Sequence, residues 1–269
     1  DQLNLETNVD FAEKDYLIQV DVTPNDAFLD NQWAIDTLGL LDAWDITTGS
    51  NDITVGVIDT GVDYNHADLN ANMWVNPNEI ANNGLDDDNN GYIDDVYGVN
   101  FINNDPNGMD DHSHGTHCAG IIGAKGNNLA GIAGVNWNVK LVALKFLSSG
   151  GYGYTSDAIK AIEYGSKMNL KILSNSWSGG GFSQGLYNVM FEYSNKGGIF
   201  IAAAGNSFLN NDIYSAYPCN YDINNVICVA SSNEQDTLSY FSNYGVNKVH
   251  IVAPGSGILS TVLNNDYAS

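Results

Sequence analysis

The stretch Ile53-Thr54-Val55-Gly56-Val57-Ile58-Asp59-Thr60-Gly61 runs β-branched residues straight into an acid and a glycine. A short apolar run bounded by turn residues predicts a buried strand, and its end carries a carboxylate where the glycine lets the backbone turn. Upstream, Ile35, Leu38, Leu41 and Trp44 recur at helical spacing until Gly49 stops them, which predicts one helix before the strand. Downstream the alternation continues, with VKLVALKF, LKILSNS, GIFIAAAG, NVICVASS and VHIVAP as strands and SDAIKAIEYGSKM and LYNVMFEYSNK as helices. Continuous apolar strands separated by amphipathic helices predict an α/β fold, a central mostly parallel sheet flanked by helices on both faces. In such sheets the working groups gather beyond the carboxyl ends of the strands.

At 269 residues and 43% hydrophobic composition, the chain buries one sizeable core. Its 32 acidic residues against 9 basic ones, all lysine, leave a formal net charge of -23. Phosphate backbones and anionic membranes are repelled by that charge, so no nucleic-acid partner is expected. No stretch approaches the roughly 18 apolar residues of a membrane span, and the acidic start DQLNLETNVDFAEKDY lacks the basic and apolar regions of a signal peptide. Cys118, Cys219 and Cys228 are odd in number, so at most one internal bridge forms, Cys219 with Cys228 being an option that geometry decides.

Three residues stand where catalytic groups are sought. Asp59 ends the first strand, although a lone DTG aspartate is more often a turn or helix-cap residue. His114-Gly115-Thr116-His117-Cys118-Ala119-Gly120 opens a helix, placing His114 beside the positive end of the macrodipole, which favours the neutral imidazole of a general base. His114 and His117 also suit zinc on one helical face, but no third ligand follows, and His117 reads as a packed or hydrogen-bonded structural residue. Asn206 follows GIFIAAAG with its amide at a strand end, where a turn asparagine is the plain alternative. An aspartate that orients a histidine, a histidine that takes a proton and an amide that stabilises an oxyanion are three of the four parts of an acyl-transfer site.

Carboxylates interleaved with Asn and Gly suit a hard cation, and Ca2+ is the first to consider. Asp86, Asp88 and Asn90 occupy the first, third and fifth positions of an EF-hand-type loop, with Gly91, the Tyr92 carbonyl and Asp94 at the sixth, seventh and ninth. Tyr97 stands where the loop wants glutamate, so Asp94 or Asp95 must supply the missing carboxylate. The alternative is a solvated acidic loop, which so much packed negative charge disfavours. Asp105, Asp110 and Asp111 offer a further cation site.

VGVIDTGVDYNHADL, HGTHCAGIIGA, SNSWSGGG, AAAGN and the VAPG strand together resemble, in this order, the motifs of the subtilisin-like serine proteases, the subtilase family. The resemblance implies that residues 21–269 are a catalytic domain with a subtilisin-like three-layer fold, and residues 1–20 an extension or propeptide remnant. It makes Asp59 the triad aspartate, His114 the general base and Asn206 the side-chain oxyanion donor. Ser176, Trp177 and Ser178 match the strand that pairs with an extended substrate, and Ala203 and Gly205 the facing wall of the primary specificity pocket. A second Ca2+ site is implied at Asp26, Asp68 and Asn128, with carbonyls from Gly126, Ala130 and Ile132. Polypeptide substrates, a propeptide inhibitor and an extracellular or secretory-pathway location follow from the same resemblance.

The family's nucleophile lies in a Gly-Thr-Ser-Met motif after the VAPG strand, and no such motif occurs here; Ser256, Ser260 and Ser269 stand in another context. The implied serine endopeptidase therefore has its serine beyond this chain, on a removed segment or a separate C-terminal chain, and this chain alone is expected to be inactive. A catalytically inactive, calcium-stabilised scaffold on the same fold is the alternative.

Overall fold

A computed structural model describes residues 11, 13–15 and 23–269; the expected extension over residues 1–20 lies, apart from 11 and 13–15, outside the described residues. The ITVGVID run ends the central strand. β1 (Gly49–Asp59) pairs in parallel with β3 (Asn138–Lys145) on one side and β4 (Ile172–Asn175) on the other. Beyond β3 lies β2 (Gly98–Asn100), and beyond β4 come β5 (Ile199–Ala203), β6 (Val226–Ser232) and β7 (Ile251–Pro254), every pairing parallel. All the expected strands are present, and the unexpected β2 is too short to show a period.

Three long helices flank this sheet: α3 (His114–Gly123), α4 (Thr155–Lys167) and α5 (Gln184–Asn195). The single helix expected before β1 is two, α1 (Ala34–Thr37) and α2 (Leu40–Ile46). Gly39 between them sits at φ 62, a left-handed conformation that helix cannot continue through, and Leu38 is left 49% exposed.

Successive strand residues serve opposite faces. Ile58, Val142, Leu144, Leu173 and Phe200 pack with Ala161 and Ile162 of α4 and Leu186 and Met190 of α5. Val55, Val57, Leu141 and Ala143 pack with Ala119 of α3. Full burial of an aliphatic side chain contributes about 1.5–3 kcal/mol, so these two cores carry most of the fold's stability.

The α3 face is covered over β1 and β3 and open over β5 to β7. Register carries Val55 and Val57 onto Ile172 and Ser174, then onto Ile199 and Ile201, while Ala203 meets Val229 and Val229 meets Ile251. Ile199 is 38% and Ile251 52% exposed, and Ile201, Ala203 and Val229 are half-buried. An apolar groove of about 300 Å³ follows, between Ile121 of α3 and Ile201, Ala203, Val229 and Ala253 of the sheet.

The last residues fold back on α3 as an antiparallel hairpin, β8 (Ser260–Val262) and β9 (Asp266–Ala268). Ser260 and Thr261 hydroxyls donate to the carbonyls of His117 and Thr116 at 2.7 and 2.8 Å. Cys219 and Cys228 are bridged, and Cys118 is the free thiol among the described residues. No described helix is long and apolar enough to cross a membrane.

Candidate active site

Asp59 and His114 meet at the carboxyl end of β1. Asp59 is 1% exposed, and its Oδ1 accepts from the Thr60 amide at 2.7 Å and from His114 Nδ1 at 2.7 Å. A carboxylate only accepts here, so Nδ1 carries the proton and Nε2 is left with the lone pair. Asp59 Oδ2 is buried without a hydrogen-bond partner among the described residues. Two segments must approach closely for this pair to form. The Gly115 amide donates to the Thr60 hydroxyl at 2.9 Å, and a Cβ on Gly115 would stand 2.0 Å from the Gly61 carbonyl, so the second residue of HGTH has no room for a side chain.

The pKa of His114 is raised above its ordinary 6.5, first by the hydrogen bond to Asp59, against burial, with the Asp59 and Asp110 charges adding to the rise. The leading cause is thus the adjacent carboxylate, a partner on another element, and not the helix terminus named from the sequence. His117 donates from Nε2 to the Ile258 carbonyl at 2.9 Å, a structural contact, and burial lowers its pKa. One turn past His114, Cys118 brings its sulfur within 4.8 Å of ligand atoms on Asp59 and His114, and burial pushes its thiol up to about 12.

His114 opens onto a cleft of about 630 Å³ whose walls include Ser176, Trp177, Ser178 and Asn206. Asn206 is exposed, and its side chain makes no hydrogen bond to a described residue. Ala203 and Gly205 face the groove over the open sheet instead, a groove that Ser176 and Asn206 also border. Four of the six expected substrate-wall and oxyanion positions, Ser176, Trp177, Ser178 and Asn206, thus line one cleft with His114, with Trp177 braced on Phe146 at 4.9 Å between ring centroids. Residues not singled out from the sequence complete the cleft: His112, Tyr152 and the glycines 150, 151 and 153. Their signal was present, because a glycine-rich loop directly after β3 lies at a strand's carboxyl end.

Of the residues expected to hold calcium, Asp26 and Asp68 are 5% and 0% exposed. Asp26 accepts from the Asn127 amide at 2.7 Å; Asp68 accepts from the Asn128 side chain at 2.7 Å, the Ile132 amide at 2.9 Å and the Tyr267 phenol at 3.1 Å. Gly126 and Ala130 belong to the same loop, where the Ala130 amide donates to Asn128 Oδ1 at 2.8 Å. Burial raises both carboxyl pKa values, and the Asp68 charge raises that of Asp26 further. Two buried acids, with the charge of Asp68 disfavouring ionisation of Asp26, are residues that could hold a cation.

In the acidic loop, Asp86 and Asp88 stay together and are joined by Glu79, ligand atoms of the three lying within 4.8 Å. Asp86 accepts from the Asn90 and Gly91 amides at 2.9 Å each, and Tyr92 donates its amide to Asn90 Oδ1 at 2.8 Å. Asp94 turns to the Asn83 and Gly84 amides at 3.0 Å, and Asp95, fully buried, takes the Tyr164 phenol and the side chains of Asn90 and Asn76. Burial, against those hydrogen bonds, pushes Asp95 up to about 6. Asp105, Asp110 and Asp111 do not gather: Asp110 binds Thr116 and Asp111 binds Lys145.

The profile of the subtilase family, Peptidase_S8, matches residues 50–269. "Subtilisin-like protease 1" of Plasmodium falciparum (isolate 3D7) is 36% identical over 265 residues, covering 90% of this chain and 38% of that protein. "Thermophilic serine proteinase" of Bacillus sp. (strain AK1) is 36% identical over 267 residues, covering 99% of this chain and 60% of that one. The chain therefore spans roughly two fifths to three fifths of these relatives. Among solved structures, a cold adapted subtilisin-like serine proteinase aligns with a TM-score of 0.61 and 29% identity, over 81% of this chain and 68% of that one. Sheet order, the Asp59–His114 pair and the match across residues 50–269 point one way: the chain belongs to the subtilase family.

Proposed function

We propose that the chain forms most of the catalytic domain of a calcium-dependent, subtilisin-like serine endopeptidase acting on polypeptides outside the cell or in the secretory pathway. The observation that carries this reading is the 2.7 Å Asp59–His114 hydrogen bond, whose histidine opens on a cleft that also holds Asn206. The nucleophile in this reading is a serine outside residues 1–269. Its segment seats in the apolar groove between α3 and the open half of the sheet, which shares Ser176 and Asn206 with the His114 cleft. A propeptide lying in the same cleft is the expected inhibitor.

Nδ1 of His114 is committed to Asp59, so Nε2 takes the serine proton as the hydroxyl attacks the peptide carbonyl. The oxyanion that forms meets the Asn206 amide, and Nε2 returns the proton to the leaving amine. Water, deprotonated by the same nitrogen, then cleaves the acyl-enzyme. Ser176 to Ser178 pair with the substrate backbone as an added strand, which reads main chain more than side chains. Ca2+ would be held by Asp26, Asp68 and Asn128 with the loop carbonyls, and at the acidic loop by Glu79, Asp86 and Asp88; its charge offsets carboxylates that otherwise repel.

The test extends the chain with the encoded sequence that follows Ser269 and exposes it to a serine-directed fluorophosphonate. Labelling of a serine in a Gly-Thr-Ser context, abolished by His114→Ala, is the expected result. A stop codon at that point, or an unlabelled extension, overturns the reading and leaves a scaffold.

A further inference from the structure

We infer that Lys145 is a positioning residue for the Asp59–His114 pair, an inference that rests on the proposed role of that pair in proteolysis. Lys145 ends β3 in register with Asp59 and is 3% exposed. An ammonium has three protons to donate, and here each has a taker: the Thr60 carbonyl at 2.5 Å, Asp111 Oδ1 at 2.7 Å and the Leu147 carbonyl at 2.8 Å. The three acceptors belong to the end of β1, the loop leading into α3 and the chain just past β3.

Each link continues to the pair. Thr60 follows Asp59, and its hydroxyl takes the Gly115 amide next to His114. Asp111 adjoins Asp110, which accepts from the His112 amide at 2.8 Å, the Thr116 amide at 3.0 Å and the Thr116 hydroxyl at 2.6 Å. One buried cation thus ties the residue after the aspartate to the loop that delivers the histidine. Burying an ammonium costs solvation that an apolar side chain of similar length avoids, so what Lys145 contributes here is its three bonds rather than packing.

Proton NMR of the 269-residue chain tests this without any serine. The readouts are the low-field Nδ1 proton of His114 and its titration midpoint. The groups facing that ring are Asp59 from β1, Asp110 and His112 from the loop, and His117 and Cys118 from its own helix. Lys145→Met is expected to abolish the low-field signal and to drop the midpoint toward the 6.5 of a free imidazole. A purely electrostatic role gives the opposite sign, because removing a nearby positive charge favours imidazolium and raises the midpoint. Asp111→Ala, where the carboxylate lost is half exposed, should weaken the low-field signal and lower the midpoint by less than Lys145→Met does. Lys160→Met removes an exposed lysine and should change neither readout.

An unchanged signal in Asp111→Ala and Lys145→Met, with only thermal stability lowered, overturns the inference; if Lys145→Met does not fold, an unchanged signal in Asp111→Ala alone does so. Failure of the protease reading shows instead as an unlabelled serine segment with these shifts intact.

Discussion

The two halves of the α3 face differ in what covers them. Over β1 and β3 the helix is seated: Val57, Leu141 and Ala119 are fully buried, and Asp59 and His114 stand already bonded above them. Over β5 to β7 the same face carries Ile201, Ala203 and Val229 half-buried along a groove, and Asn206 at its edge has no side-chain hydrogen bond among the described residues. The difference teaches that the Asp59–His114 pair is assembled by this chain's own packing, whereas Asn206, the oxyanion donor of the proposed reading, stands exposed at the edge of the open groove.

The comparison breaks first at Asp59. In a form carrying the serine, Asp59→Asn should cut kcat by about 10⁴, the scale found when serine proteases lose this group, with KM little changed. A loss under tenfold would mean that the pair in the closed half does not drive catalysis. Asn206→Ala should cost less, about 10² to 10³ in kcat, a range measured on a subtilase and borrowed here. Steady-state kinetics on both variants rank the two halves.

Packing gives the next contrast. Leu141→Ala in the closed half should lower stability by about 2–5 kcal/mol in urea titrations. Val229→Ala in the open half should cost about 1 kcal/mol or less, because much of that side chain already meets water. If the groove seats a further segment, adding it raises the Val229 penalty and leaves the Leu141 penalty alone. Equal penalties in both forms would break the contrast.

Calcium comes third in size. At a hundredfold excess over its Kd, a cation specific to the folded state adds about 2.7 kcal/mol per site, so chelation should lower Tm and expose the loop around Asn128 to proteolysis. Identical melting with and without chelator would remove the cation from the reading. The smallest effect is that of pH on His114. Its folded pKa is raised, so the stability it contributes is complete below 6.5 and is lost as pH climbs through the folded value, while the neutral base needed for activity accumulates over the same window. Urea midpoints and kcat/KM measured across that window should move in opposite directions.

Much of this was legible in the sequence, for reasons that mark where it was not. The strands read directly because residues buried on both faces leave no polar alternation, and the Asp59 and His114 motifs stand where strand or helix ends place them. The break at Gly39 was hidden because Leu38 and Leu41 keep the helical period across it, although only Leu41 is turned inward. Glu79 lies upstream of the loop motif and reaches it through turns that no spacing predicts. Asp95 is drawn into the core by Tyr164, a partner from a distant helix. Lys145 is one polar residue in the VKLVALKF run, and only the meeting of three chain segments shows what it holds. The open half of the sheet is invisible to periodicity, since strand residues read alike whether or not a layer covers them.

The C-terminal hairpin has one consequence in time. Its Tyr267 reaches Asp68 across 199 residues, and Thr261 reaches Thr116 across 145. Contacts this distant along the chain close large loops, and such closures are slow steps in forming a native topology. The contacts between the hairpin and α3 are therefore among the slow closures, and the histidine helix is braced only once residues 260–268 have joined it.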